Sequence, residues 1–209
     1  VYVCHPNNPT GTMNSTDELD TYFERVPGHV LTVVDQAYFE YIDRPDYPDA
    51  VDRYLKAGRR VAVLRTFSKI YGLAGLRVGY AVAPRSVCSA MAKVRRPFDL
   101  TTPAQVAAIA SIGDDAELAH RRAVNAAGLA QLESVLVEHG LEPVPSVGNF
   151  LYVETGADAN ELFDRLLHEG IIVRPLAGFG SATAIRISVG TPEELDLFAT
   201  GLGRVLARA

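Results

Sequence analysis

Hydrophobic and polar positions along this chain follow two alternating periods. Short runs of β-branched and aliphatic residues at 1–4, 30–34, 61–64 and 78–82 predict buried strands. Between the first two, Ser15-Thr16-Asp17-Glu18 has the spacing of a capping box, in which a hydroxyl and a carboxylate satisfy backbone N–H groups at a helix start. A helix is predicted from there to about residue 25. Runs that are apolar throughout, rather than alternating, indicate a sheet covered on both faces, as in α/β folds. Helical patterns follow at residues 85–94, 103–112 and 115–139, the last long enough to connect two domains. Beyond Pro143 and Pro145 the pattern changes. Strands at 150–153, 171–173 and 185–189 accompany helices at 160–168 and 192–206. The expected organisation is part of an α/β domain over 1–114, a connecting helix over 115–139 and a smaller α+β domain over 140–209.

Composition narrows this picture by exclusion. The chain has 209 residues, 48% hydrophobic and 22% charged, enough for a substantial core in a globular protein. A formal net charge of −5 without a large basic block argues against nucleic acid as a partner. Two cysteines, Cys4 and Cys88, are too few for a disulfide framework and fit a reducing compartment. No apolar run approaches the roughly 20 residues of a membrane span, and no signal-like start is present, so a cytoplasmic location is expected. The five histidines lack metal-ligand spacing and no metal site is expected. A chain that opens on Val1 inside a strand-like run, without methionine, is expected to be a piece of a longer protein with material missing upstream.

The chemistry concentrates where predicted strands end. Thr66-Phe67-Ser68-Lys69, followed by Gly72-Leu73-Ala74-Gly75-Leu76-Arg77, sets a lysine, a hydroxyl and an arginine directly after an apolar run. A lysine there can condense with an aldehyde, while hydroxyl and guanidinium can hold a phosphate. Pyridoxal 5'-phosphate carries both groups. The lysine needs desolvation or neighbouring positive charge to react; by itself it also reads as solvated surface. Asp35 ends the run Leu31-Thr32-Val33-Val34, where a carboxylate needs a partner. A protonated pyridine nitrogen is one such partner, and a helix N-cap or a nearby basic residue is another. Tyr38 can reach a ring hydroxyl or remain a half-buried aromatic. Asn8, in Pro6-Asn7-Asn8-Pro9-Thr10-Gly11, lies in a turn sequence that can aim an amide at the same hydroxyl. In open parallel sheets ligands bind outside the carboxyl ends of the strands, so Asn8, Asp35, Tyr38, Ser68 and Lys69 are expected to converge.

In the second half Arg186 lies in Ile185-Arg186-Ile187-Ser188-Val189-Gly190. Alternation puts it opposite Ile185 and Ile187, facing solvent or a cleft where it can take a carboxylate or phosphate. Arg174, in Ile172-Val173-Arg174-Pro175, is a weaker candidate, and Asn149 weaker still. Lys93, Arg95 and Arg96 read as a solvated helix end, and Tyr41 as structural.

With these motifs in order, the chain resembles the pyridoxal-phosphate aminotransferases of the aspartate-aminotransferase fold (fold type I). Within them it is most similar to the histidinol-phosphate aminotransferase branch. The resemblance rests on Pro6-Asn7-Asn8-Pro9-Thr10-Gly11, Val34-Asp35-Gln36-Ala37-Tyr38, Thr66-Phe67-Ser68-Lys69, the segment from Gly72 to Tyr80, and Ile185-Arg186-Ile187-Ser188-Val189-Gly190. It implies that residues 1–114 are the C-terminal part of a cofactor-binding large domain. It implies Lys69 as the catalytic Schiff-base lysine, Asp35 on the pyridine nitrogen, and Asn8 and Tyr38 on the ring oxygen. Ser68 and Arg77 would hold the phosphate, and Arg186 the substrate's anionic group. Small-molecule partners are implied, an amino donor (histidinol phosphate) and a 2-keto acid (2-oxoglutarate), together with a homodimer. Family members are longer, so an N-terminal portion is expected to be absent here. Aromatic-amino-acid transamination and decarboxylation are alternatives on the same scaffold. A transcription regulator with an aminotransferase-like effector domain is the rival of another class.

Overall fold

The computed structural model describes residues 1–207. They form β1 (Tyr2–Cys4), α1 (Thr16–Arg25), β2 (Thr32–Asp35), β3 (Val61–Thr66), β4 (Gly79–Val82), α2 (Arg85–Val94), α3 (Thr102–Ile112) and α4 (Asp115–Glu138). β5 (Pro143–Val144), β6 (Phe150–Glu154), α5 (Ala159–His168), β7 (Arg174–Pro175), β8 (Ala184–Ser188) and α6 (Pro192–Leu206) follow. The chain divides into two compact units. The first is Val1–Asn7 with Met13–Arg121; the second is Asn8–Thr12 with the residues from Arg122 onward.

The first unit holds a sheet of order β1-β2-β3-β4. β1, β2 and β3 are parallel, in register Cys4↔Asp35 and Asp35↔Leu64, while β4 returns antiparallel to β3. Asp35 is therefore the last residue of β2 rather than lying beyond it. α1 begins as its sequence dictates: Ser15 Oγ accepts the Glu18 N–H at 3.3 Å and Glu18 Oε2 accepts the Ser15 N–H at 2.8 Å. Its residues Leu19 and Phe23, one turn apart, are buried with Val34, Ala50, Tyr54, Val61 and Val63. Each of the leucine, phenylalanine and valine side chains contributes about 1.5–3 kcal/mol on burial. Burial on both faces holds for Val61, Ala62 and Val63 of β3. It fails for β1, the edge strand beside β2, where Tyr2 is 84% exposed.

The second unit has a sheet of order β5-β6-β8-β7, antiparallel throughout. Leu151 and Val153 of β6 pack with Ile185 and Ile187 of β8 against Leu132 and Leu136 of α4, Leu162 and Leu166 of α5, and Leu195, Phe198 and Leu202 of α6. The strand expected at 171–173 lies instead at Arg174–Pro175. Residues 170 and 171 close α5: the N–H groups of Gly170 and Ile171 donate to the Leu167 and Leu166 carbonyls. Gly170 takes a positive φ of 81° to do so. The ladder with β8 starts at Arg174↔Arg186, leaving Ile172 exposed.

Candidate active site

The polar residues of the first unit gather at one end of its parallel strands. Asp35 closes β2, and Ser68 and Lys69 follow β3 by two and three residues. Asp35 Oδ1 accepts the Ala37 N–H at 3.0 Å, so the carboxylate shapes the tight turn that delivers Tyr38. Among the described residues Asp35 forms no ion pair. Tyr38 is buried, and the Lys69 ammonium stands 4.9 Å from its ring centroid, within cation–π range. Tyr41 packs beside Tyr38 at 6.4 Å between centroids; burial, and then the Tyr38 phenol, push its own phenol up to about 12. It stays protonated at neutral pH.

The segment after Lys69 is fixed locally. The Ser68 N–H donates to Thr66 Oγ1 at 3.1 Å. Arg121, from α4, donates to the Ile70 carbonyl at 2.7 Å while paired with Glu117 at 2.6 Å. Gly72, with φ of 72°, leaves the room Arg121 needs: a Cβ there would meet Nη1 at 2.7 Å. Arg77 is exposed, takes a left-handed backbone with φ of 54°, and donates from Nη1 to the Ala74 carbonyl at 2.7 Å. Its guanidinium thus braces its own turn in this structure.

Two residues of the second unit meet directly. Arg186 Nη1 donates to Asn8 Oδ1 at 2.7 Å. The expected alternation holds: Arg186 shares a sheet face with Tyr152, its partner across the ladder, and its guanidinium carbon lies 5.0 Å from the Phe150 ring centroid. Its Nε is buried and makes no hydrogen bond among the described residues, a donor held ready for an acceptor. Arg174 faces Arg186 across the β7–β8 register but is exposed, with its guanidinium 6.0 Å from the Phe179 ring.

Sequence reading missed the buried supports. Gln36 and Tyr47 are buried and Arg65 half-buried next to the site turns, and the available signal was a glutamine and an arginine at the ends of the apolar runs before them. Burial works against the Arg65 charge, but the hydrogen bond and charge of Asp49, 2.8 Å away, hold the guanidinium protonated above its ordinary range. Among the described residues no cluster of His, Cys, Asp or Glu is placed to hold a metal, and no helix is long and apolar enough to cross a membrane.

Comparison with known proteins gives this geometry a context. Residues 1–202 match the family described as aminotransferase class I and II. Histidinol-phosphate aminotransferase 2 of Pseudomonas aeruginosa is 46% identical over 207 residues, covering 99% of this chain and 56% of that protein. The enzyme of the same name from Methylococcus capsulatus is 47% identical over 206 residues, covering 99% and 55%. The solved histidinol-phosphate aminotransferase of Sinorhizobium meliloti, in complex with pyridoxal 5'-phosphate, matches with a TM-score of 0.90 at 32% identity. That match covers 100% of this chain and 57% of the other. The chain spans little more than half the length of the curated relatives it matches.

Proposed function

Because this chain belongs to the aminotransferase class I and II family, we propose that the protein carrying it is a pyridoxal-phosphate-dependent aminotransferase. It moves an amino group from histidinol phosphate to a 2-keto acid, 2-oxoglutarate. The observation that carries the reading is the Lys69 ammonium over the Tyr38 ring, at the strand ends where Asp35 stands without an ion-pair partner among the described residues. Identity of 46–47% to histidinol-phosphate aminotransferases supports the choice of donor.

The residues present fit this cofactor. A lysine without a carboxylate partner can hold an aldehyde, a carboxylate without a cation can hold a pyridinium proton, and the buried Nε of Arg186 awaits an acceptor. Pyridoxal phosphate, when bound, supplies the aldehyde and an electron-withdrawing ring. Asp35 would keep the proton on the ring nitrogen. Tyr38 would orient the ring through its hydroxyl, and Asn8 would bring its side-chain amide to the same ring oxygen. Ser68 and Arg77 would take the phosphate, Arg77 giving up its bond to Ala74. Lys69 Nζ, beside the ring, would carry a proton to and from the substrate carbon. Arg186, seconded by Arg174, takes the substrate's anionic group in a bidentate-capable fork. A homodimer belongs to this reading, supported by the exposed apolar side chains Val94, Phe98, Val106 and Ile109.

The test is incubation with pyridoxal phosphate, borohydride reduction and peptide mass measurement, followed by assay of glutamate formed from histidinol phosphate and 2-oxoglutarate. A pyridoxyl adduct on the Lys69 peptide with amino transfer supports the reading. Release of carbon dioxide, or preference for aromatic amino donors, would replace it.

A further inference from the structure

Behind the turns that carry Asp35, Tyr38 and Lys69 runs a chain of buried and half-buried polar groups that the reaction itself does not use. Gln36, fully buried, directly follows Asp35. Its Oε1 accepts from Arg65 Nη2 at 3.3 Å; its Nε2 donates to Tyr47 Oη at 3.2 Å and to the Pro48 carbonyl at 3.0 Å. The Tyr47 hydroxyl in turn donates to the His5 carbonyl at 2.7 Å, and its ring stacks on His5 at 4.6 Å. Arg65 also pairs with Asp49 at 2.8 Å, and its guanidinium carbon lies 3.6 Å from the Phe39 ring centroid.

The placement is what matters. His5 follows β1, Gln36 follows β2 and Arg65 is the penultimate residue of β3, so the chain crosses the carboxyl ends of all three parallel strands. Backbone bonds extend the ladders the same way, from the Gln36 N–H to the Leu64 carbonyl and from the His5 N–H to the Asp35 carbonyl, each 2.9 Å. An apolar side chain could fill the space of Gln36 without desolvating an amide, a cost of about 1–3 kcal/mol unless every group is paired. Here both Nε2 hydrogens and Oε1 are paired, which makes the network directional: it admits one orientation of the Asp35–Tyr38 turn relative to the Arg65–Lys69 segment.

We propose that Gln36, braced by Arg65 and Tyr47, is a positioning residue of the candidate active site, fixing the Asp35–Tyr38 turn against the segment that carries Lys69. This rests on the cofactor reading above. Gln36→Met removes the donors and the acceptor at nearly constant length, and Tyr47→Phe removes one hydroxyl. Both are compared with Leu19→Ala, a core truncation in the same unit but in the cluster beneath α1. The protein expressed from its full reading frame is used.

With Gln36→Met, the Lys69 adduct still forms. Circular dichroism in the absorption band of the bound cofactor, per cofactor bound, falls by about half or more, and kcat falls about tenfold or more with KM within about twofold. Tyr47→Phe moves both readouts the same way by less, and decides the matter if Gln36→Met does not fold. Leu19→Ala lowers Tm and leaves both unchanged. The proposal is overturned if Gln36→Met and Tyr47→Phe lower Tm alone, as Leu19→Ala does. Absence of a Lys69 adduct in the unsubstituted protein is a different result, and removes the cofactor reading together with this one.

Discussion

Arg186 and Asn8, 178 residues apart, are joined by a hydrogen bond of 2.7 Å. The pair commits one guanidinium N–H and fixes which end of the Asn8 amide is the acceptor. Arg186 keeps a buried Nε that nothing among the described residues satisfies. Arg186→Ala is therefore expected to raise KM for anionic substrates by about tenfold or more, the scale of a lost charge-assisted bond. The pyridoxyl adduct on Lys69 should still form. Initial rates over a range of donor concentrations, alongside adduct masses, check both halves; an unchanged KM removes Arg186 from substrate binding.

Lys69→Ala is expected to abolish the borohydride-trappable adduct and to lower kcat by several orders of magnitude, since the facing turn, Asp35-Gln36-Ala37-Tyr38, holds no lysine or histidine to replace it. Peptide mapping after reduction provides the check. A pyridoxyl group retained at stoichiometric level on the variant would move the covalent role away from Lys69.

Much of this was legible because the signals are local. The Ser15–Glu18 box starts α1 where its spacing says, and Pro192 at the first helical position starts α6 likewise. The period-two alternation around Arg186 gave the correct face of β8 because Ile185 and Ile187 are both buried. What stayed hidden depends on partners far along the chain. Gln36 reads as a polar turn residue until Arg65 and Tyr47 are seen to enclose it. The run at 171–173 is apolar enough for a strand, yet its first N–H is taken by the end of α5, and the ladder begins one residue past the run. Asn8 reads as a residue of the first sheet's strand ends, whereas the segment Asn8–Thr12 belongs to the second unit.

His5 supplies a pH dependence. Its Nε2 lies 2.8 Å from the Asn14 carbonyl and so carries the hydrogen; its Nδ1 is buried and unpaired. Protonation would bury an unsatisfied N–H, and burial lowers the pKa, outweighing the Asn14 bond and the Glu18 charge that raise it. The unfolded chain, near the ordinary value of about 6.5, then binds the proton more readily than the folded one. This contribution is fully present above that value and is lost as pH falls below it toward the folded pKa. Urea unfolding at about pH 7.5 and about pH 5.5 should show a stability loss that is smaller in His5→Gln. Equal losses in the two proteins would assign the pH dependence to other groups.

Gly11 ties the segment around Asn8 to its own unit, and its replacement gives the sharpest stability prediction. Its φ is 75°, a Cβ would lie 2.1 Å from Ser146 Oγ and 2.6 Å from Ser146 Cβ, and its carbonyl accepts the Val147 N–H at 2.9 Å. Gly11→Ala faces a left-handed backbone and a collision together, and relief requires pulling the turn off Ser146 and Val147. The expected loss is about 2 kcal/mol or more. Because Asn8 lies in the same short segment, the displacement should also loosen its bond to Arg186 and raise KM in the direction of Arg186→Ala. Gly28→Ala is the matched control, with nothing within 4 Å of its added Cβ, and should change stability by less than about 0.5 kcal/mol. Denaturant midpoints for the two variants, with the donor KM for Gly11→Ala, test the link. A Gly11→Ala protein as stable as Gly28→Ala would mean that Ser146 yields to the methyl group and that this turn does not hold Asn8 in place.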